Sequence, residues 1–363
     1  MNIAIVGLGL IGGSIGLAAR ARGDQVAAFD NDPDAGRAGL EAGAATWVAG
    51  SLDEAVSTAE LTFVCSPVAG LPSLVGEALE RVPAGAAVTD VGSTKGRLVA
   101  AVGDAPGFVG GHPVCGSEAR GVANARADLF DGATWFLTPG PATDPVRHRA
   151  VHGYVSALGA RPVAIDADAH DRLVALTSHL PHALANLLAN QAGAGRIDGH
   201  DPLTAVGGSF RDMTRVAGAN PRIWVDIFLD NRAALLDGLR EHGRAIDTLV
   251  RALEREDAGY VARWIAEASG HRRRMLADAY RLTPEELHRV RIRIPDRPGA
   301  ISGITQALGA EGINIEDFEL HHLSTDVGGT VVVVIAGAEQ AARAVELLDS
   351  QGYQAIITSA VDR

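Results

Sequence analysis

Cysteine is almost absent from this chain of 363 residues: Cys65 lies in an apolar run and Cys115 in a glycine-rich loop, so neither a disulfide framework nor a CxxC metal pattern is available. That scarcity fits a reducing, cytoplasmic setting. Basic residues are also in short supply, 32 Lys and Arg against 44 Asp and Glu, and the formal net charge of −12 argues against a nucleic-acid partner, which needs a basic face. An anionic substrate would have to be held by a few locally placed cations. No uncharged apolar stretch approaches the ~20 residues of a membrane-spanning helix. The apolar N-terminus, MNIAIVGLGLIGGSIGLAAR, lacks the basic leading region of a signal peptide, and its five glycines fall at turn positions. Neither export nor a membrane anchor is expected, and no fixed-period repeat or low-complexity linker interrupts the chain.

What remains is ordinary globular material, 47% hydrophobic and 21% charged. The length exceeds the ~100 to 200 residues of one domain, and the pattern divides it into 1–165, 166–285 and 286–363. In the first segment, β-branched runs at Ile3–Val6, Val26–Phe29, Leu61–Val64, Ala87–Asp90, Phe108–Gly110, Trp135–Leu137 and Pro162–Ile165 alternate with helical periodicity at Ile15–Arg22, Leu71–Arg81, Thr94–Ala101 and Pro145–Leu158. That order predicts an α/β fold with a Rossmann-like, doubly wound parallel sheet.

The second segment loses the strand signal and reads as all-α, with helical runs at Ala169–Ala194, Pro202–Ala217 and Pro221–Leu253. The last of these leaves more apolar surface than one small core requires, which predicts a homodimer built there. A third unit follows the helix-start signal of Thr283 and Pro284. Its order is Val290–Ile294, Ala300–Glu311, Ile313–His321, Gly329–Ala336, Glu339–Ser350 and Gln354–Thr358. Strand, helix, strand, strand, helix, strand is the ferredoxin-like βαββαβ arrangement.

Gly7-Leu8-Gly9-Leu10-Ile11-Gly12 follows the first strand and opens a helix, the context in which GxGxxG carries meaning. The first glycine permits the tight turn, the second lets backbone approach a pyrophosphate, and the third allows close helix–strand packing. The helix N-terminus adds free N–H groups and a positive dipole end. Asp30, 23 residues beyond Gly7, ends the second strand where a carboxylate accepts from ribose hydroxyls. It would repel a 2′-phosphate, and Asn31-Asp32-Pro33 offers no arginine to receive one, so the cofactor expected is NAD. Ser66 and Pro67, just after Leu61–Val64, are expected among the cofactor contacts.

Three further stretches are more specific: Asp90-Val91-Gly92-Ser93-Thr94-Lys95-Gly96, then Gly111-His112-Pro113-Val114-Cys115-Gly116-Ser117-Glu118, then Ser178-His179-Leu180-Pro181-His182 with Phe210-Arg211-Asp212-Met213-Thr214-Arg215. With the glycine fingerprint they resemble the prephenate/arogenate dehydrogenase family over residues 1–278. The resemblance implies an NAD(P)-binding domain before a helical dimerisation domain, and oxidative decarboxylation of a cyclohexadienol. Such chemistry needs an acceptor for the hydroxyl proton, a cation for a carboxylate and a dry, oriented pocket. The imidazole of His112, with an ordinary pKa of ~6.5, suits the first role.

Ser93 matches the family serine that hydrogen-bonds the same hydroxyl; the alternative is an N-cap for Thr94–Ala101. Arg215 is the expected carboxylate-binding cation, since a guanidinium fork binds in two places. A surface arginine is its alternative. His179 and His182, three apart with Pro181 between them, read as a helix start near the pocket, and the resemblance favours His182 as substrate-contacting with His179 supporting or merely structural. No carboxylate or cysteine accompanies them as a zinc site. Ser117 and Glu118 match positions that line or gate the site, and are otherwise exposed loop residues. Trp224 resembles a pocket-lining tryptophan and is otherwise core. The sequence departs from the commoner family loop at Val114-Cys115, where Met-Ala is often seen, and at Arg120, where Ser is often seen; substrate preference is what those changes touch.

In the third unit, Asp296-Arg297-Pro298-Gly299-Ala300 and Gly312-Ile313-Asn314-Ile315 resemble the ACT-domain signature. Asp296, Pro298, Gly299, Ala300, Asn314 and Ile315 are the expected effector-binding positions, with the helix N-terminus receiving an amino-acid carboxylate. Tyrosine is the expected effector, and a module that only aids assembly is the alternative. The sequence thus points to an NAD-dependent enzyme acting on prephenate. Arogenate as substrate, or a non-catalytic sensor of NAD and amino acids, stands beside that reading.

Overall fold

A computed structural model of the chain describes residues 1–115, 121–280, 283, 286–324 and 328–358. Two compact units emerge, Met1–Ala205 with Met213–His242, and Val206–Asp212 with Gly243–Arg363.

In the first unit the β-branched runs form eight strands in one sheet: β1 (Asn2–Val6), β2 (Gln25–Phe29), β3 (Trp47–Val48), β4 (Leu61–Val64), β5 (Ala87–Asp90), β6 (Phe108–Pro113), β7 (Thr134–Pro139) and β8 (Arg161–Ala164). Their order is β3-β2-β1-β4-β5-β6-β7-β8. The chain leaves β1 toward β2 and β3 and then returns to place β4 on the other side, so the strand order reverses between β1 and β4. Ligands of such sheets bind outside the carboxyl ends of the strands at that switch point. Helices α1 (Leu10–Ala21), α2 (Pro33–Glu41), α3 (Leu52–Val56), α4 (Leu71–Arg81), α5 (Gly96–Val102) and α6 (Pro145–Ala157) connect the strands. All four residues of β4 are buried, the pattern of a strand covered on both faces. Ile3, Ile5 and Phe63 pack into one cluster with Trp135 and Leu137, whereas Ala4 and Val6, one residue out of phase, face the opposite layer.

The expected all-parallel sheet is broken once, because β6 pairs antiparallel with β7. Among the described residues between them only a single 3-10 turn forms, Val122–Asn124, and no crossover helix returns the chain to the same end. The pairing carries β6 through His112↔Phe136 to Pro113↔Trp135. His112 therefore sits in a strand, not in the loop expected after Gly110.

The predicted Ala169–Ala194 helix is divided into α7 (Ala167–Val174), a π-helical turn at Ala175–His179, and α8 (Leu180–Ala194). His179 and His182 consequently lie inside a helical run rather than at its start. Pro181 has no N–H to close an α-helical bond, and the wider turn just before it absorbs that defect. The region after α8 contains α9 (Gly208–Thr214) and a 3-10 turn at Arg215–Gly218. The expected Pro221–Leu253 helix breaks at Asn231 into α10 (Pro221–Asp230) and α11 (Arg232–Glu254). Asn231 is buried and its side-chain amide donates to the Asp171 carbonyl at 2.8 Å, so a tertiary contact holds the break.

The second unit holds α12 (Ala258–Tyr280) and a four-stranded antiparallel sheet, ordered β10 (Asp317–Ser324), β11 (Gly328–Ala336), β9 (Leu287–Ile294), β12 (Gln354–Thr358), with α13 (Ala300–Ala310) and α14 (Ala338–Ser350). This is the predicted ferredoxin-like arrangement. Val290, Ile292, Ile304, Leu308, Val331, Val333 and Leu348 form its core. β10 begins four residues later than Ile313. Gly312 takes a φ of +69°, Asn314 Nδ2 bonds Glu316 Oε1 at 2.8 Å, and backbone pairing resumes only when Glu316 N–H reaches the Val334 carbonyl. No described helix is long and apolar enough to cross a membrane.

Candidate active site

β1, β4, β5 and β6 run parallel, so their carboxyl ends share one edge of the sheet. The glycine loop leaves β1, Ser66 and Pro67 leave β4, Ser93 follows β5, and His112 closes β6. Residues far apart in sequence are thereby set in one row.

At the cofactor end, Gly7 adopts a φ of +104°, and a Cβ there would stand 2.3 Å from the Cys65 carbonyl oxygen. A Cβ on Gly12 would meet the Gly7 carbonyl oxygen at 2.0 Å. Only glycine permits this close approach of α1 to two strands. Gly9 is the N-cap of α1, has no side chain to cap the helix, and has open space where a Cβ would lie. The first turn of α1, with Leu10 and Ile11, thus presents N–H groups to a phosphate. Leu8 contributes differently: its side chain is buried in the core and its N–H donates to Asp30 Oδ2 at 2.7 Å, fixing that carboxylate beside the loop. This cradle fits a dinucleotide.

His112 is half-buried, and its Nδ1 lies 2.9 Å from Nε2 of His170, a fully buried residue of α7. His170 Nδ1 lies 2.8 Å from Asp171 Oδ1. Phe136 packs against both imidazoles. Burial first, then the neighbouring His170, Lys95 and His179, hold the His112 pKa well below its ordinary value, so the ring is neutral and able to accept a proton. Burial alone would raise the Asp171 carboxyl, but the hydrogen bond from His170 and the backbone N–H groups of Gly96 and Lys95 bring it below the usual carboxylate range.

The Asp90–Gly96 turn is clamped from several sides. Asp90 accepts from Gly92 N–H at 2.7 Å and Gly111 N–H at 3.0 Å, and pairs with the fully buried Lys95 ammonium. Asp171 accepts from Lys95 N–H and Gly96 N–H, each at 2.8 Å. Thr94 donates to Asp230 of α10 at 2.7 Å. Ser93 does not cap α5, because the helix begins at Gly96 and Asp171 supplies the cap from another element. Among the described residues the Ser93 hydroxyl has no hydrogen-bond partner.

On the helical side, His182 stacks on Trp224 with centroids 3.5 Å apart and planes at 9°. Trp224 is half-buried and packs beside the cluster of Val64, Val68 and Ile227 at the end of β4. His179 is buried and lies 3.2 Å from Asn231 Nδ2. The turn carrying Arg215 packs on α8, the helix of His182. Ser117 and Glu118, with Arg120, lie outside the described residues. In the second unit Gly299 takes a left-handed φ of +87° and starts α13; Ala300 is buried, Asp296 and Pro298 are exposed, and Ile315 packs on the core. Asn314 is already engaged by Glu316. Among the described residues no group of three or more His, Cys, Asp and Glu is placed to hold a metal ion.

His179 has a consequence for stability. Burial first, with His170 and His182 adding and Asp171 opposing, pushes its pKa down to about 4. An unfolded imidazole titrates near ~6.5. Between those values the unfolded chain binds a proton that the folded chain refuses, so stability falls as pH drops through this window and is constant above it. This one group contributes a slope of up to about 1.4 kcal/mol per pH unit. Melting temperatures measured across the window are expected to fall less steeply for His179→Asn than for the wild type; equal slopes would contradict the assignment.

Residues 15–164 match the family described as the nucleotide-binding domain of prephenate dehydrogenase, and residues 166–267 its dimerization domain. The chain belongs to the prephenate dehydrogenase family. Residues 288–352 match the ACT domain. Prephenate dehydrogenase of Bacillus subtilis (strain 168) is 31% identical over 359 residues, 96% of each chain. Cyclohexadienyl dehydrogenase of Zymomonas mobilis is 32% identical over 286 residues, covering 76% of this chain and 97% of its own. Among solved structures, A. aeolicus prephenate dehydrogenase in complex with hydroxyphenyl propionate and NAD+ superposes with a TM-score of 0.71 at 28% identity, over 75% of this chain and 97% of that one. Synechocystis arogenate dehydrogenase gives 0.69 at 29% identity, over 75% and 99%. The ferredoxin-like sheet of this family member is accordingly an ACT domain.

Four members of the site were not singled out from sequence. Asp90 and Lys95 were visible as parts of a motif, yet their burial as a pair depends on β6. His170 and Asp171 gave no signal at all, since adjacent residues in a helix do not share a face and their partners lie 58 and 75 residues away.

Proposed function

We propose that the chain is an NAD-dependent prephenate dehydrogenase, converting prephenate to 4-hydroxyphenylpyruvate by oxidative decarboxylation in tyrosine biosynthesis. The observation that carries this reading is a neutral, half-buried His112 at the carboxyl edge of a dinucleotide-binding sheet in a chain of this family. When bound, NAD supplies the hydride acceptor. Gly7, Gly9 and Gly12, with the backbone of Leu8, Leu10 and Ile11, hold its pyrophosphate, Asp30 its ribose, and Ser66 and Pro67 line the cleft. His112 accepts the hydroxyl proton at Nε2 while Ser93 hydrogen-bonds the same oxygen. As hydride leaves the carbinol carbon, carbon dioxide leaves the opposite ring carbon and the ring becomes aromatic. Arg215 clasps a substrate carboxylate, His182 is held in the pocket wall by Trp224, and His179 supports it. The family motif that Ser117 and Glu118 match assigns them to lining or gating the site.

The enzyme works as a cytoplasmic homodimer with the three-part division 1–165, 166–285 and 286–363. Supporting the dimer are the dimerization-domain match and the apolar stripe Ile246, Val250 and Leu253 exposed at helical spacing on α11. Tyrosine is the effector of the ACT domain, received at the Asp296–Ala300 turn, with Asn314 and Ile315 alongside, and lowers activity. A titration in which tyrosine changes neither rate nor melting temperature would remove that assignment.

Arogenate is the second reading, favoured by the likeness to the Synechocystis enzyme. Initial rates of NADH formation with prephenate and arogenate, each with NAD and NADP, decide between them. The expected order has prephenate with NAD fastest. No rate on either substrate would leave a non-catalytic NAD and amino-acid sensor.

A further inference from the structure

Resting on the dehydrogenase reading, we propose that Asp171 and His170 are positioning residues that lock His112 in the Nδ1–H tautomer, so that its bare Nε2 faces the substrate hydroxyl. A carboxylate can only accept hydrogen bonds, and a neutral imidazole carries one N–H. Asp171 Oδ1 lies 2.8 Å from His170 Nδ1, so that nitrogen holds the hydrogen. His170 Nε2 is then an acceptor, and His112 Nδ1, 2.9 Å away, must donate to it. With both rings neutral, only one arrangement of hydrogens satisfies the chain. It leaves the lone pair of His112 at Nε2, where proton uptake requires no reshuffling behind it.

Both supporting residues are built in rather than incidental. His170 is 0% exposed and Asp171 8%. His170 meets His112 edge to face, at 5.1 Å between centroids and 79°, with Phe136 against both rings. Asp171 also reaches beyond His170, because its two oxygens accept from Lys95 N–H and Gly96 N–H and so fix the turn that carries Ser93. One carboxylate therefore orients the base on β6 and the hydroxyl-holding serine after β5. The other groups facing His112 are Lys95 and His179, and neither is an acceptor for its Nδ1–H.

The test has a readout that a merely structural role would not move. Nitrogen-15 NMR of histidine-labelled wild-type enzyme, with assignment by single histidine variants, is expected to show His112 and His170 both as Nδ1–H tautomers. Asp171→Asn can present an amide N–H to His170 only by giving up the oxygen that accepts from Lys95 N–H; in that orientation both rings reverse and a hydrogen is left on His112 Nε2. The expected loss in kcat is ~10²–10⁴-fold, the size seen when a carboxylate that sets a tautomer becomes an amide, with KM moved less than about threefold. His170→Phe, which leaves Asp171 on the Ser93 turn, is expected to lose kcat as well, and the double variant to be no worse than Asp171→Asn alone. Losses that multiply, a His170→Phe enzyme with wild-type kcat, or a wild-type His112 in the Nε2–H form would overturn the proposal. If the wild type fails to turn over prephenate, the functional reading falls, and the NMR tautomers still decide this one.

Discussion

Replacing His112 by glutamine is expected to lower kcat on prephenate by ~10²–10⁴-fold while leaving NAD affinity within about threefold of the wild type, because a general base acts on the barrier rather than on cofactor binding. Glutamine keeps a polar group at the end of β6 but has no lone pair able to take the proton. The pH dependence of the wild type follows from the same residue. The base works in its neutral form, so kcat/KM should rise with pH as His112 loses its proton and stay level above. Since burial, His170, Lys95 and His179 hold that pKa well below 6.5, the acid limb should also fall below 6.5. An acid limb above that value, or an unchanged kcat in His112→Gln, would mean that another group takes the proton.

Removing the cation is expected to have the next largest effect. Each hydrogen bond to a charged group contributes about 1.5–3 kcal/mol, so losing a two-pronged grip in Arg215→Ala should lower kcat/KM on prephenate by ~10²–10⁴-fold. Most of the loss belongs in KM if the carboxylate held is the one that remains in the product, because that contact is the same before and during reaction. Arg215→Lys keeps the charge without the fork and should fall between the two. Steady-state kinetics at saturating NAD measure this directly; an unchanged KM and kcat in Arg215→Ala would assign carboxylate recognition elsewhere.

The parts of this architecture that local chemistry dictates were legible before any coordinates. β4 and β5 span the predicted Leu61–Val64 and Ala87–Asp90, because short buried β-branched runs bounded by turns have few other options. The glycine loop was legible for a similar reason: Gly7 and Gly12 answer steric demands within ten residues of β1, and Gly9 leaves open space at the helix N-cap. The ferredoxin-like sheet followed from the alternation of periods alone.

What escaped depends on contacts across long sequence separations. β6 extends to His112 only because β7, more than twenty residues on, pairs with it antiparallel. The π-helical turn before Pro181 and the break at Asn231 read as ordinary helix until the partners of those residues are known. His112 itself was found by its motif, yet the motif is silent about what stands behind the imidazole. Asp171 looks like one more acid on an amphipathic helix, and its four hydrogen-bond contacts all go to residues whose nearness the fold creates or to its own neighbour.

The proposed mechanism requires His112 Nε2 to face the reacting hydroxyl while a guanidinium holds the far end of the same molecule. The most direct measurement is a crystal structure of this chain with NAD and a hydroxyphenyl carboxylic acid such as hydroxyphenyl propionate. The prediction is a His112 Nε2 to ring-hydroxyl distance of ~2.6–3.2 Å, with the Arg215 guanidinium on the carboxylate. A ligand bound with its hydroxyl turned away from His112, or an imidazole rotated into solvent, would contradict it.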